Sequence, residues 1–306
     1  MKAMRLKKGC RIGVISPSAP VTPEDKQLHR GVELLEQMEF QVVLGKHVYS
    51  NTLGYSASPR EKAEDINAMF VDESIHAIIC SQGGHTANAC LPYLDWQVIG
   101  RNPKVFLGMS DITLLLNAIY AITGLITFHG HDVMWGLGRE PTSYDLQEFD
   151  QRLIQAKIGN VTANGKRKTV RGGVGEGILV GGNLGCLLKL AGTHYFPDVK
   201  GAILFLEGTG LTPEFCDFMF SQLKQIGVFD QMQAVIIGYI DGLDNDPKVT
   251  IKMEDVLLNV AGEYAFPILK INDFGHNCAN TILPLGARIR LDADEQSIEI
   301  LDNYLE

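Results

Sequence analysis

The sequence lacks the features that mark several large classes of protein. It has no uninterrupted apolar span of about 18 residues, and no apolar segment precedes Arg11 that could form the core of a secretory signal. Its only dense basic run is Lys166-Arg167-Lys168, and its net charge of -9 is opposite in sign to that of a typical nucleic-acid-binding protein. We therefore expect a cytoplasmic protein with no membrane and no nucleic-acid partner.

Common metal and redox motifs are also missing. The 6 cysteines are scattered without C-x-x-C spacing, and no H-E-x-x-H motif is present. His129, His131 and Asp132 follow a predicted strand, but their spacing completes no recognised metal site. We expect these residues to line or support a cleft, and we expect no cofactor. A metal-dependent hydrolase that uses these three residues, and a non-catalytic protein that binds a small ligand, are kept as alternative functions.

The order of apolar segments predicts an α/β fold with a doubly wound parallel sheet. Short buried strands alternate with amphipathic helices in the first half of the chain, then apolar periodicity fades, and a second set of strands follows. We predict a nucleophile domain at 1–140, a linker at 141–171 and a C-terminal domain at 172–306. The last predicted strands span 281–289 and 297–301.

The stretch around Ser110 has the pattern of a strand, a tight turn and a helix. An apolar run ends at Gly108, and residues at helical spacing begin at Ile112. A serine at such a turn lies at the mouth of the sheet, beside free N–H groups of the new helix. This arrangement is a nucleophile elbow, although Ile112 occupies the place of the second glycine in Gly-x-Ser-x-Gly. The alternative is that Ser110 or Asp111 simply caps the helix.

Gly83 and Gly84 follow the preceding predicted strand. Glycines at a junction between strand and helix let backbone N–H groups approach a reacting atom, because no Cβ intervenes. This pair and Ser110 end consecutive strands of one predicted sheet, so we expect the two loops to be neighbours.

Two further residues complete a candidate catalytic set. Glu207 ends a strongly apolar strand, where a buried carboxylate needs a partner. His276 follows a glycine in a predicted loop. Taken alone, Glu207 could be a solvated acid at the end of a strand and His276 an ordinary loop histidine. Together with Ser110 they supply the nucleophile, base and orienting acid of a triad.

With these residues in view, the chain resembles the LD-carboxypeptidase family of serine peptidases over nearly its whole length. Within that family it is most similar to the microcin C immunity branch. The motifs that carry the resemblance are Ile12–Ser18, Gly83-Gly84, Leu91–Asp95, Asn102–Lys104, Gly108–Thr113, Gly181–Leu184, Leu204–Glu207, Gly227–Asp230 and Gly275-His276.

The resemblance implies a role for each candidate residue. Ser110 would be the nucleophile, His276 the general base and Glu207 the acid that fixes the imidazole. The oxyanion hole would use backbone N–H groups of Gly84 and Asp111. The resemblance also implies a flavodoxin-like N-terminal domain, a smaller mixed α/β C-terminal domain that supplies the acid and base, a cleft between them, a homodimer and no metal.

The function implied is serine-dependent hydrolysis of an amide bond in a small peptide or peptidyl-nucleotide substrate. The enzyme would release either the acyl part of a peptidyl or aminoacyl nucleotide, or the terminal D-residue of an LD-linked muropeptide. Muropeptide enzymes of the family commonly carry an arginine before the glycine pair, where this chain has Gln82, and an aromatic residue before the nucleophile, where it has Met109. The immunity branch stacks an interdomain aromatic on the nucleotide base, but neither Tyr144 nor Phe149 convincingly matches that position.

Overall fold

The computed structural model describes residues 1–306. The first half of the chain supplies five strands of a six-stranded sheet. Its elements in chain order are β1 (Arg11–Ile15), α1 (Lys26–Gln37), β2 (Gln41–Leu44), α2 (Pro59–Val71), β3 (Ile75–Cys80), α3 (Trp96–Arg101), β4 (Val105–Gly108), α4 (Thr113–Thr123) and β5 (Thr127–His129). Strands β2, β1, β3, β4 and β5 lie side by side in that order and are parallel. This is the flavodoxin-like order, so the predicted doubly wound fold is confirmed.

Local sequence explains where the helices of this half begin and end. Helix α2 starts at a capping box, in which Ser58 and Glu61 accept hydrogen bonds from each other's backbone N–H groups, and Pro59 occupies its first turn. Helix α4 ends at Gly124, whose φ of 71° is the left-handed conformation that glycine adopts without strain. None of the helices in the chain combines the length and apolar character needed to span a lipid bilayer.

The second half builds an eight-stranded mixed sheet and adds one strand to the first sheet. Its elements in chain order are α5 (Ser143–Phe149), β6 (Gly159–Asn160), β7 (Lys168–Arg171), β8 (Val174–Asn183), α6 (Leu184–Leu188), β9 (Ala202–Thr209), α7 (Pro213–Gln225), β10 (Ala234–Asp241), α8 (Met253–Val260), β11 (Ile268–Gly275), β12 (Leu283–Leu285), β13 (Arg288–Asp292) and β14 (Ser297–Ile300). Strands β8, β9, β10 and β11 form a parallel centre, and antiparallel strands extend it on both sides. The predicted mixed α/β character of this half is confirmed.

The predicted strand over 281–289 divides into two strands that join different sheets. Strand β12 pairs antiparallel with β5 of the first sheet, whereas β13 pairs with β8 of the second. The break falls at Gly286, whose φ of 93° turns the chain. Pro284 is tolerated in β12 because this strand is at the edge of its sheet.

Residues 141–171, predicted as a linker, form α5, a turn of π-helix at 150–154, and strands β6 and β7. Polar residues of this segment pair with each other inside the protein. Arg152 is fully buried, and its Nε donates to Glu148 Oε2 at 3.0 Å. Internal pairing of this kind produces no apolar periodicity in a sequence. The domain limits at 140 and 171 stay predictions.

Strand β9 separates two apolar cores. Ile203 and Phe205 belong to the core shared with the first sheet, whereas Leu204 and Leu206 pack with residues of α7 and α8. Successive side chains of a strand point to opposite faces. Glu207 follows the same alternation as Ile203 and Phe205, so its carboxylate is on the face of β9 that is directed toward the first sheet.

Candidate active site

Ser110 is held in a strained backbone conformation two residues after the end of β4. Its φ of 60° is uncommon for a residue other than glycine, and it opens a turn of 3₁₀ helix at 110–112 that leads into α4. No side chain caps the start of this turn or of α4, so neither Ser110 nor Asp111 acts as a helix cap. The turn therefore has the geometry of an elbow that presents the hydroxyl group of Ser110.

The glycine pair after β3 packs against this turn. A Cβ atom on Gly83 would lie 2.6 Å from Cβ of Ser110 and 3.3 Å from the backbone nitrogen of Asp111. Gly84 has a φ of 144°, and a Cβ atom there would lie 2.6 Å from Ser18 Oγ. Both positions therefore require glycine. The two loops are neighbours, as the order of the strands predicts, because β3 and β4 are adjacent and parallel.

The side chain of Asp111 fixes the turn at Ser110 to neighbouring segments of the chain. Its buried carboxylate accepts hydrogen bonds from Ser18 Oγ at 2.5 Å, from the Ala87 backbone N–H at 2.9 Å and from Lys189 Nζ at 2.5 Å. Burial raises the pKa of Asp111, but these partners outweigh it and hold the pKa below its ordinary value. Asp111 is therefore a buried carboxylate, and its backbone is fixed beside Ser110.

Glu207 and His276 form a hydrogen-bonded acid and imidazole pair, of which the acid is buried and the imidazole is partly exposed. Glu207 is fully buried at the end of β9, and its Oε2 accepts a hydrogen bond from His276 Nδ1 at 2.5 Å. Burial lowers the pKa of His276, but the charge of Glu207 and the hydrogen bond to it raise that pKa above the ordinary value. Burial raises the pKa of Glu207, and the charge of His276 brings it below the ordinary value. Because Nδ1 donates to the carboxylate, Nε2 is left free to accept a proton.

Ser110 and His276 line one cavity of about 590 Å³ between the two halves of the chain. Ser110 and His276 are not hydrogen-bonded to each other in this structure. Hydrogen bonds of this kind are often long without substrate and shorten when it binds. The wall of the cavity also includes Gln82, Gly83, Gly84, Met109, His131, Asp132, Trp135, Arg139, Glu140, Asp145, Asn277 and Cys278.

His129, His131 and Asp132 do not converge on a common point. His129 is fully buried at the edges of Phe205 and Phe274, and burial lowers its pKa to about 4. His131 Nε2 lies 2.9 Å from Asp145, whereas Asp132 accepts hydrogen bonds from backbone N–H groups that follow it. No group of three or more His, Cys, Asp or Glu side chains in the chain is placed to hold a metal ion. The arrangement gives no support to the metal-dependent alternative.

Of the four residues that bear on substrate recognition, two lie in the cavity wall and two do not. Gln82 and Met109 line the cavity, whereas Tyr144 and Phe149 are buried elsewhere. Three residues near the site were missed by sequence analysis: Lys189, Trp135 and Arg139. A lone cation within the apolar run of residues 184–190 was a usable signal for Lys189. Trp135 and Arg139 follow the His129–Asp132 segment and had no motif of their own.

Comparison with known proteins identifies the family. The model of the LD-carboxypeptidase N-terminal domain matches residues 12–130, and that of the LD-carboxypeptidase C-terminal domain matches residues 176–291. These matches make up most of the chain, which therefore belongs to the LD-carboxypeptidase family of serine peptidases.

Individual relatives match along almost their full length. The microcin C7 self-immunity protein MccF of Escherichia coli is 32% identical over 332 residues, covering 99% of this chain and 96% of MccF. A probable murein peptide carboxypeptidase of Bacillus subtilis is 31% identical, covering 98% of this chain and 94% of the relative. A solved structure of MccF in complex with aspartyl sulfamoyl adenosine has a TM-score of 0.91 at 31% identity, and the match covers 100% of both chains. The chain thus has the two-part architecture of MccF.

Proposed function

We propose that this protein hydrolyses an amide bond through an acyl-enzyme formed on Ser110. The observation that carries the proposal is the convergence of three features on one cavity. These are the strained turn at Ser110, the glycine pair packed against it, and the Glu207–His276 pair contributed by the other half of the chain. No single feature would suffice, because each has an ordinary structural explanation.

The proposed steps follow from the geometry of the pair. His276 Nε2 takes the proton of the Ser110 hydroxyl as its oxygen attacks the carbonyl carbon, and then gives that proton to the leaving nitrogen. Glu207 holds Nδ1 protonated and stabilises the imidazolium that forms. In the second stage, His276 removes a proton from water as that water attacks the acyl-enzyme, and then gives the proton to the Ser110 oxygen as the acid is released.

The oxyanion of each tetrahedral intermediate is assigned to the backbone N–H groups of Gly84 and Asp111. This assignment is supported by the packing of the two loops. Gly83 packs on Ser110, and the backbone nitrogen of Asp111 is close to the site where a Gly83 Cβ would lie. Fixed N–H donors stabilise developing negative charge without having to reorganise during the reaction.

Two substrate classes fit the proposal. One is a peptidyl or aminoacyl nucleotide, which is favoured by the likeness to MccF, a protein solved with aspartyl sulfamoyl adenosine. The other is an LD-linked muropeptide, which is favoured by the likeness to the murein peptide carboxypeptidase. The cavity volume of about 590 Å³ lies within the range common for small-molecule sites. A homodimer and a cytoplasmic location, which the family resemblance and the composition suggest, belong to the same proposal.

The test compares two substrates in parallel by mass spectrometry: a muramoyl tetrapeptide and aspartyl sulfamoyl adenosine, which carries an unreactive stand-in for the phosphate. Wild type is compared with Ser110→Ala on each, and each reaction is repeated with a chelator. We expect release of the terminal D-residue or of aspartate by wild type, with no effect of chelator and no product from Ser110→Ala.

The outcome separates the alternatives. Cleavage of the nucleotide analogue alone would assign immunity-like chemistry, and cleavage of the tetrapeptide alone would assign cell-wall peptide chemistry despite Gln82. Cleavage that persists in Ser110→Ala or stops with chelator would contradict the serine mechanism. Binding of either compound with no turnover would favour the non-catalytic alternative.

A further inference from the structure

Arg139 is the only lysine or arginine in the wall of the catalytic cavity. Its Nη1 donates to Asn277 Oδ1 at 2.9 Å, and its guanidinium carbon lies 6.0 Å from the centre of the Trp135 ring. It takes part in none of the ion pairs of the protein, so its charge is not matched by a carboxylate. A guanidinium group has five N–H donors, and the bond to Asn277 uses one of them.

Of the three carboxylates in the cavity wall, Asp132 and Asp145 are satisfied by other partners, and the exposed Glu140 forms no ion pair with Arg139. Asp145 accepts hydrogen bonds from His131 and from the Thr142 hydroxyl, and Asp132 accepts them from the backbone N–H groups of Trp135 and Gly136. Arg139 is therefore not required to neutralise a buried acid. An exposed cation held at a cavity wall without an acidic partner is suited to an anion that comes from outside.

Gln82 cannot supply this charge and is already engaged. Its Nε2 donates to the Pro20 carbonyl at 2.9 Å, and its Oε1 accepts from Trp135 Nε1 at 2.9 Å. These bonds join Gln82 to Trp135, which lies beside Arg139. The neutral amide thus supports the aromatic ring against which the guanidinium rests.

The negative charge around the cavity means that an anionic substrate needs a positive group in the cavity wall. The protein has a net charge of -9, and Glu207, Asp132 and Asp145 lie at or beneath the cavity. An anion that enters the cavity meets a negative field unless a positive group faces it. Guanidinium matches carboxylate and phosphate oxygens with paired N–H donors, which makes it the better residue for this task than an ammonium group.

We propose that Arg139 binds an anionic group of the substrate, with Trp135 and Asn277 holding the guanidinium in place. This inference rests on the proposed function and names its specificity residue. The anion is either the carboxylate of the terminal amino acid of a peptide or the phosphate-type group of a nucleotide. Asn277 directly follows His276, so the Arg139–Asn277 bond links the anion site to the loop that carries the base.

The test measures binding by calorimetry in a Ser110→Ala background, where turnover does not interfere. Each anionic ligand has a neutral partner: a muramoyl tetrapeptide is compared with its C-terminal amide, and adenosine monophosphate with adenosine. The variant is Arg139→Gln, with Arg139→Lys as the conservative change. Arg101→Gln is the matched control, because it removes the same charge from an exposed position on α3, outside the cavity.

We expect Arg139→Gln to weaken binding of one anionic ligand roughly 10- to 100-fold, the range for a lost hydrogen bond to a charged group. Its neutral partner and the Arg101→Gln control should change less than about twofold. The ligand that responds identifies the source of the anion. Unchanged affinity for both anions, an equal loss for the neutral partners, or no binding of any of the four ligands would overturn the proposal. Failure of the catalytic proposal is separate, since it would appear as absent turnover by wild type alongside binding that depends on Arg139.

Discussion

Lys189 Nζ lies 2.5 Å from Asp111 Oδ1 and so joins the second half of the chain to the residue that follows Ser110. Lys189 also donates to the carbonyl of His85, in the loop that carries the glycine pair. One ammonium group thus contacts both loops of the candidate site. The position of the elbow therefore depends on a residue 78 positions away along the chain.

Replacing Lys189 should destabilise the protein and reduce its activity. Lys189→Met leaves the buried carboxylate of Asp111 without its cation, and losing one partner of a buried pair is strongly destabilising. Because Lys189 is partly exposed, we expect the free energy of unfolding to fall by about 2 kcal/mol, less than for a fully buried pair. Urea denaturation measures this change. Lys224→Met is the control, since its pair with Glu263 is more exposed and should be worth under about 1 kcal/mol. Equal effects of the two variants would argue against the anchoring role.

A methyl group at Gly83 should impair catalysis more than folding. In Gly83→Ala, the new Cβ would lie 2.6 Å from Cβ and 2.8 Å from Oγ of Ser110, so the nucleophile must move. We expect kcat/KM to fall about 100-fold, the scale of a displacement of 1 Å at a reacting group. Gly165→Ala is the matched control, because its Cβ would meet no atom within 4 Å. Wild-type kcat/KM in Gly83→Ala would show that the close approach of the two loops has no catalytic role.

The pH dependence of activity should report the Glu207–His276 pair. The base must be neutral to accept a proton, and the charge of Glu207 raises the pKa of His276 above its ordinary value although burial opposes this. The value of kcat/KM should therefore rise with pH, with its midpoint above about 6.5. Glu207→Gln removes the charge, so it should lower both the rate and the pH of the midpoint. A midpoint that stays in place in Glu207→Gln would mean that another group controls the profile.

His129 should make the protein less stable in acid. Burial lowers the pKa of His129 to about 4 in the folded protein, below the ordinary value near 6.5. The unfolded chain therefore binds this proton more readily, so stability is complete above about pH 6.5 and declines as the pH falls toward 4. Between pH 7 and 5 the loss should be about 2 kcal/mol.

The His129 prediction is tested by urea denaturation of wild type and His129→Leu at both pH values. The variant should lose less stability than wild type between pH 7 and 5, by about the same 2 kcal/mol. His85→Leu, at an exposed histidine, is the control and should behave like wild type. Parallel changes in wild type and His129→Leu would show that His129 does not titrate in this way.

The parts of the fold that could be predicted are those encoded in short segments. The apolar runs of β1 to β5 and the turn at Ser110 are local patterns, and the parallel order of the strands follows from their alternation with helices. The three-residue strand β12 is too short for its periodicity to be recognised. Its pairing with β5 joins residues more than 150 positions apart, and no local pattern encodes such a pairing.

The candidate site likewise contains residues that the sequence could predict and residues that it could not. Ser110 and the glycine pair could be found because both follow predicted strands, whereas Glu207 and His276 are weak signals alone and became candidates only when combined with Ser110 as a triad. Arg139 and Lys189 contact partners in distant segments, so their roles could not be predicted from local sequence, although the lone cation in the apolar run of residues 184–190 was a signal for Lys189. Tyr144 is buried and donates its hydroxyl group to the Thr162 carbonyl, which explains why it is no candidate for stacking on a ligand.

The central claim is that Ser110 and His276 act as one unit. The most direct measurement is kcat/KM of Ser110→Ala, His276→Ala and the double variant on whichever substrate is cleaved. Residues that act together have strongly non-additive effects. We predict that each single variant loses at least about 1,000-fold and that the double variant loses no more than the worse of the two. Losses that multiply in the double variant, or activity of His276→Ala within about tenfold of wild type, would contradict the account.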